Sequence, residues 1–285
     1  MSKSRIAIVV DSTAQIPAEL VQQHGIHVIP QTLVWGTETF HDDVDITPAQ
    51  FYDRLRDDSV FPTTSQASVR EFQELLTSVG AGAEEGVLVV VLSGELSGTL
   101  NSATQARALL PEMQIEIVDT RTTSMAMGYV ALAAARAAER GNSLAECVQL
   151  ARGMLDKVGV FLTVDTLDYL HRGGRIGGAR KLFGNALNIK PVLTVKDGVV
   201  QEAGKVRTRK KALRHVVDAV SAEVEGKENI RIAALHAAAP DDAAALLQTA
   251  RERMNPVEAH SGELSPVVGA HVGPGTVGLG WCVDI

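Results

Sequence analysis

Short apolar runs alternate with helical patterns along this chain, and several of those runs stop abruptly in hydroxyl-rich turns. Arg5–Val10 ends in Asp11-Ser12-Thr13, Gly86–Leu92 ends in Ser93 followed by Leu96-Ser97-Gly98-Thr99, and Ile115–Val118 ends in Asp119-Thr120. Another turn, Pro62-Thr63-Thr64-Ser65-Gln66-Ala67-Ser68, opens a helix. Strands alternating with helices argue for a mainly parallel sheet with right-handed crossovers. In such open α/β sheets ligands bind in the crevice outside the carboxyl ends of the strands. Neutral hydroxyls gathered there suit a small polar head group, an anion or a carbonyl. None of these turns carries a lysine or an adjacent histidine, so neither a phosphate loop nor an activated nucleophile is indicated.

At 285 residues the chain is long enough for two domains of ~100–150 residues. Aromatics make up only 4% of it against 45% hydrophobic residues, so its core must be aliphatic. No apolar stretch reaches the ~18 residues that span a bilayer. The weakly polar Met125–Ala138 is Ala-rich and broken by Arg136, as suits a packed helix. Met1–Ser4 leads straight into a strand without an apolar leader, and Cys147 and Cys282 form no disulfide or zinc framework. Both features point to the cytoplasm.

Charge is uneven. Asp165–His215 carries twelve Lys/Arg against four Asp/Glu, a local +8 that leaves −15 for the rest of a chain of net −7. One basic face on an acidic protein fits an anionic ligand or partner, or a solvated surface. Tyr169 and Phe183 alone are poor equipment for base stacking, which disfavours nucleic acid.

The first half reads as strand–helix repeats. Ile26–Ile29 is a strand, and Gln31–Trp35 with Glu38–His41 reads as a hairpin. Thr47-Pro48 and Ser68 cap helices through Arg56 and Val79. Helices over Ser97–Leu109 and Thr123–Arg140 follow, and Ser143 caps one running to Val158. Beyond it come a strand at Val160–Val164, a short helix at Leu167–His171 and a flexible connection over Gly173–Gly178. A hairpin of Pro191–Val195 and Val199–Val206 turns at Asp197-Gly198. Helix Arg209–Val224, strand Ile230–Ala237 and helix Asp241–Met254 lead to tail strands near Val267–His271 and Leu279–Val283. This pattern predicts an α/β protein of two domains. Residues 1–158 form a mainly parallel α/β domain, and residues 159–285 an α+β domain with a mixed or antiparallel sheet. The last strand is free to return to the first domain.

Gly273-Pro274-Gly275-Thr276-Val277-Gly278 matches G-x-G-x-x-G, yet only seven residues follow it, too few for a dinucleotide fold. Its use is a tight turn beside His271, which as a cation or donor suits a carboxylate. Leu167–Ile176 sets basic side chains beside glycines whose backbone amides can approach an anion. Ser93 or Ser97 with His271 leaves an acyl-hydrolase reading open. Nothing has metal-ligand spacing, and no G-x-x-x-x-G-K-[ST] is present.

Taken in order, Val10–Thr13, Pro62–Ser68, Leu96–Thr99, Leu167–Ile176, Asn188–Pro191, Arg207-Thr208 and His271–Gly275 resemble the DegV family over nearly the whole chain. The resemblance implies a long-chain fatty acid held between two α/β domains, with no cofactor. It also implies a separate ATP-dependent kinase subunit that phosphorylates the bound carboxylate for phospholipid synthesis. The chain itself would then be a binding subunit, not an enzyme, and its contact with membranes transient. A carrier without a kinase partner stays open. By the same resemblance Thr64 and Ser93 hydrogen-bond the carboxylate, His271 and Arg207 lie near the head group or the transfer site, and Arg172 and Ser97 are further members. The chain departs from the family pattern at Ser93-Gly94, where two serines are usual, and at Ala67, where proline is common.

Overall fold

In the computed structural model residues 5–183 and 189–283 are described. Met1–Ser4 and Asn188, used above, lie outside the described residues. The first sheet is four-stranded and wholly parallel. Its order is β2 (His27–Ile29), β1 (Ile6–Asp11), β6 (Gly86–Val91), β7 (Ile115–Asp119). β1 and β6 are buried at every residue, which is why both read as unbroken apolar runs rather than alternating ones. A small antiparallel sheet of β4 (Glu38–His41), β3 (Thr32–Trp35) and β5 (Thr63–Ser65) stands beside it.

Six strands form the second sheet, in the order β10 (Val199–Val206), β9 (Lys190–Lys196), β8 (Val158–Thr163), β13 (Val277–Cys282), β11 (Arg231–His236), β12 (Glu258–Glu263). It is mixed, with β11 and β12 parallel and the other pairs antiparallel. The expected α/β architecture of one parallel and one mixed sheet is therefore present. The last strand, β13, lies between β8 and β11 inside this sheet and does not return to the first.

The helices are α1 (Ala18–Gln23), α2 (Pro48–Asp57), α3 (Val69–Gly80), α4 (Thr99–Ala108), α5 (Ser124–Glu139), α6 (Leu144–Gly153), α7 (Asp168–Arg172), α8 (Arg180–Phe183), α9 (Arg209–Glu223), α10 (Pro240–Met254) and α11 (Pro266–Val272). Thr47, Ser68 and Ser143 each close a capping box with the Gln or Glu three residues on. α5 is the spine of the molecule. Thirteen of its sixteen residues are buried, because it packs on β1 on one side and on β8 and β13 on the other. A helix apolar all round belongs in such a position, and alanine lets both sheets approach closely. One apolar cluster consequently runs from Ile8 and Val10 through α5 to Leu235 and Cys282.

Four sequence expectations are corrected. Val267–His271 is a helix, not a strand: Ser265 caps it by accepting from Val268 N, and Pro266 occupies its first turn. The paired valines had suggested a strand. β12 was missed because Glu-Ala-His-Ser-Gly-Glu carries almost no apolar signal. β5 was missed because it is only three residues long and was read as a turn. The helix expected to run to Val158 stops at Gly153, and a short 3-10 turn, Leu155–Lys157, delivers Val158 to β8 as its first residue.

Candidate functional site

A cavity lies between the two sheets, open to the centres of water molecules over about 120 Å³. At ~10–15 Å³ per water it takes roughly eight to twelve waters or groups of similar size, such as methylenes. Most of its wall is aliphatic: Val160 and Leu162 of β8, Leu235 of β11, Leu264, and Val267 and Val268 of α11. Polar groups line it too, among them Thr64, Gln66, Ser97, Arg175 and His271. An apolar chamber with a few convergent polar groups is the usual form of a small-molecule site.

Hydrogen bonds link the hydroxyl-rich turns around the cavity. Asp11, fully buried at the end of β1, accepts from Thr13 N at 3.0 Å, Thr13 Oγ1 at 2.6 Å and Leu92 N at 2.9 Å. Burial raises the Asp11 carboxyl, and these donors oppose that shift. Ser12 Oγ donates to Asp42, whose other oxygen accepts from Val267 N at 2.9 Å and so ties α11 to the first sheet. Gln31 accepts from Ala67 N and donates to Thr99 Oγ1, which bonds Ser97 Oγ at 2.8 Å. Gln31 N in turn donates to Ser12 Oγ at 3.1 Å, which joins the Ser12, Ala67 and Ser97 turns into one network.

The predicted residues separate into three groups. Thr64, Ser97 and His271 line the cavity, and Thr64 Oγ1 lies 2.8 Å from His271 Nε2. Ser93 does not line it. This residue is wholly buried, and its hydroxyl donates to Gly198 O at 2.8 Å, holding the turn between β9 and β10. Gly198 has φ +85°, and a Cβ there would stand 2.6 Å from Ser93 Oγ, so both backbone sign and space call for glycine. Arg172 and Arg207 lie outside the cavity wall. Arg172 stacks its guanidinium over Phe61 at 5.3 Å, and Phe61 in turn contacts Tyr169. Arg207 is exposed at the end of β10.

Of the two roles expected of His271, cation or donor, its surroundings disfavour the cation. Burial, and then the positive charge of Arg175, lower its pKa to about 4. It is therefore neutral at pH 7, and its Nδ1 is buried with no hydrogen-bond partner among the described residues. Close packing around it explains two glycines. Gly173 leaves room for the imidazole, and Gly273, at φ +76°, leaves room for the Tyr169 ring. The charged group that does line the cavity is Arg175, overlooked as an individual residue although it stands in the Gly-Gly-Arg stretch singled out as anion-suited. It is anchored by donating to Leu96 O at 2.9 Å and Gly173 O at 2.7 Å. Gln31 and Gln66 were likewise missed, since isolated glutamines give no sequence signal.

Neither Ser93 nor Ser97 is hydrogen-bonded to His271 in the described structure, which leaves the hydrolase arrangement without its base. Among the described residues no cluster of three His, Cys, Asp or Glu is arranged to hold a metal. No helix there is long and apolar enough to cross a membrane.

Fold and site together define an α/β protein with a preorganised apolar chamber between two sheets, provided with neutral donors and one guanidinium. The chain belongs to the DegV family: a family model described as "Uncharacterised protein, DegV family" matches residues 5–284. It is 38% identical to a DegV domain-containing protein of Streptomyces coelicolor over 96% of this chain and 97% of the relative. Among solved structures, a DegV family protein of Thermus thermophilus described for its fatty acid binding superposes with a TM-score of 0.90 at 37% identity, covering 98% and 100% of the two chains. A stearic-acid-binding protein of Eubacterium ventriosum does so with a TM-score of 0.90 at 26% identity, covering 98% of each.

Proposed function

We propose that this chain binds a long-chain fatty acid between the halves formed by residues 1–158 and 159–285, and presents its carboxylate to a separate ATP-dependent kinase subunit. The observation that carries this reading is the aliphatic chamber between the two sheets, with Thr64, Ser97, His271 and Arg175 in its wall. The fatty acid binding described for the Thermus and Eubacterium relatives supports it.

In this reading the carboxylate accepts hydrogen bonds from Thr64 and Ser97, and Arg175 supplies the charge that keeps it ionised away from bulk water. Ser93 is a further donor once its bond to Gly198 is released. Each buried methylene of the tail contributes about 0.8 kcal/mol, less the ordering of the chain, so few polar contacts are needed for retention. The kinase brings ATP, and the bound carboxylate oxygen attacks its γ-phosphorus as the bond from that phosphorus to the β,γ-bridging oxygen breaks, giving an acyl phosphate and releasing ADP. This chain's part is positioning and charge neutralisation. The exposed Lys205, Arg207, Lys210 and Lys211, with Arg172, offer an anion-facing surface for that encounter in the cytoplasm.

Native mass spectrometry of the purified protein, followed by solvent extraction and identification of the released lipid, tests the binding. One fatty acid per chain is expected. A protein that is empty and takes up no added fatty acid refutes it. Formation of acyl phosphate with a cognate kinase and ATP tests the presentation.

A further inference from the structure

Two cavities in this molecule share a wall one side chain thick. The second opens on the far side of α5's first turn and is larger, about 720 Å³. Leu235 lines both. Thr13 faces the first cavity, while its chain neighbours Ser12 and Ala14 face the second. Ser124 faces the first and Met125 the second. Val10, Ala14, Ala233 and Met125 give the buried wall of the second cavity an apolar part, beside which stand the buried Asp11, Ser12 and Asp42; the exposed Glu19 and Asp43 and the half-exposed Glu263 are acidic as well.

Met125 is the pliable part of the partition. Its side chain is unbranched, with freely rotating bonds and a polarisable sulfur. Glycines stand on two sides of it: a Cβ at Gly128 would lie 3.0 Å from Met125 Sδ, and one at Gly280 3.4 Å from Met125 Cβ. The side chain is wholly buried yet bordered by positions that carry no side chain of their own.

We propose that Met125, backed by Leu235, is a length gate, and that an acyl tail too long for the first cavity displaces Met125 and ends in the apolar part of the second. The inference rests on the fatty-acid reading above and adds where a long tail goes. Charge sets its direction. A carboxylate is attracted to Arg175 in the first cavity and repelled by the acids of the second, so the ligand enters head-outward with its methyl end at the gate.

The test is a titration of delipidated protein with saturated fatty acids of ten to eighteen carbons. In the wild type, affinity should rise roughly fourfold per added methylene until the tail meets Met125, stall, and rise again once the gate is displaced. Met125→Ala should remove the stall and raise the C18 to C10 affinity ratio by about tenfold. Met125→Ile, which keeps the volume but stiffens the side chain, should lower that ratio by a similar factor. A wild-type rise without a break, or ratios within twofold of wild type in both variants, overturns the gate. If the alanine variant does not fold, the wild-type series and the isoleucine variant decide. Absence of binding at every chain length in the wild type removes the fatty-acid reading and the gate with it, and so is distinct from a failure of the gate alone.

Discussion

His271 offers the sharpest test of the site because its protonation is coupled to folding. The imidazole is buried against Thr64 and feels the charge of Arg175, and its pKa falls to about 4. In the unfolded chain a histidine titrates near ~6.5. The native state therefore binds this proton less readily than the unfolded state does. The resulting stability is present above pH ~6.5 and is lost as pH falls towards 4. A gap of roughly two to three pH units at about 1.4 kcal/mol each gives about 3 kcal/mol in full, of which about 2 kcal/mol is lost between pH 7 and pH 5. Urea unfolding of wild type and His271→Asn across that range isolates the effect, since every other titrating group is common to both. Wild type should lose about 2 kcal/mol more than the variant between pH 7 and pH 5. Parallel stability curves would refute a neutral, buried His271. A bound carboxylate should reverse the trend, raising the histidine's pKa and drawing in a fraction of a proton on binding, measurable as buffer-dependent heat in calorimetry.

Three further substitutions probe the same region. Thr64→Val keeps the side-chain shape but removes the hydroxyl bonded to His271; it should cost about 1 kcal/mol of stability and weaken fatty acid binding, read by unfolding and titration, and no change in either would remove Thr64 from the site. Arg175→Gln withdraws the charge that lines the cavity and should reduce affinity for the ionised acid by tenfold or more while sparing a fatty alcohol of equal length, given the ~1.5–3 kcal/mol of a hydrogen bond to a charged group; equal losses for acid and alcohol would assign Arg175 a packing role instead. Gly198→Ala places a Cβ against Ser93 Oγ at a positive φ, and a destabilisation of about 1–3 kcal/mol in urea is expected; a variant as stable as wild type would show that the β9–β10 turn is not held as described.

What was legible in the sequence divides along physical lines. β1 and β6 were plain because strands buried on both faces must be apolar throughout, and α5 was plain because only a fully packed helix is so rich in alanine. β12 was invisible for the converse reason: Glu-Ala-His-Ser-Gly-Glu takes its place in the sheet from its pairing with β11, a tertiary fact that no local pattern records. α11 shows two local signals in conflict, a pair of β-branched valines against a Ser-Pro start, and the cap won because Ser265 and Asp42 together satisfy the first turn's amides. The site behaves similarly. Thr64, Ser97 and His271 were named by the family resemblance, the first two standing in hydroxyl-rich turns and the third before a glycine turn, and all three are in the cavity wall. Ser93 belongs to the same class of turn, yet its hydroxyl faces Gly198 from a hairpin 105 residues further along the chain. Arg172 and Arg175 are three residues apart and alike in chemistry; only the packing of α7 decides that one stacks outside on Phe61 while the other reaches the cavity between Leu96 O and Gly173 O. Which of several chemically equivalent side chains reaches the cavity is set by contacts between segments that the sequence holds far apart.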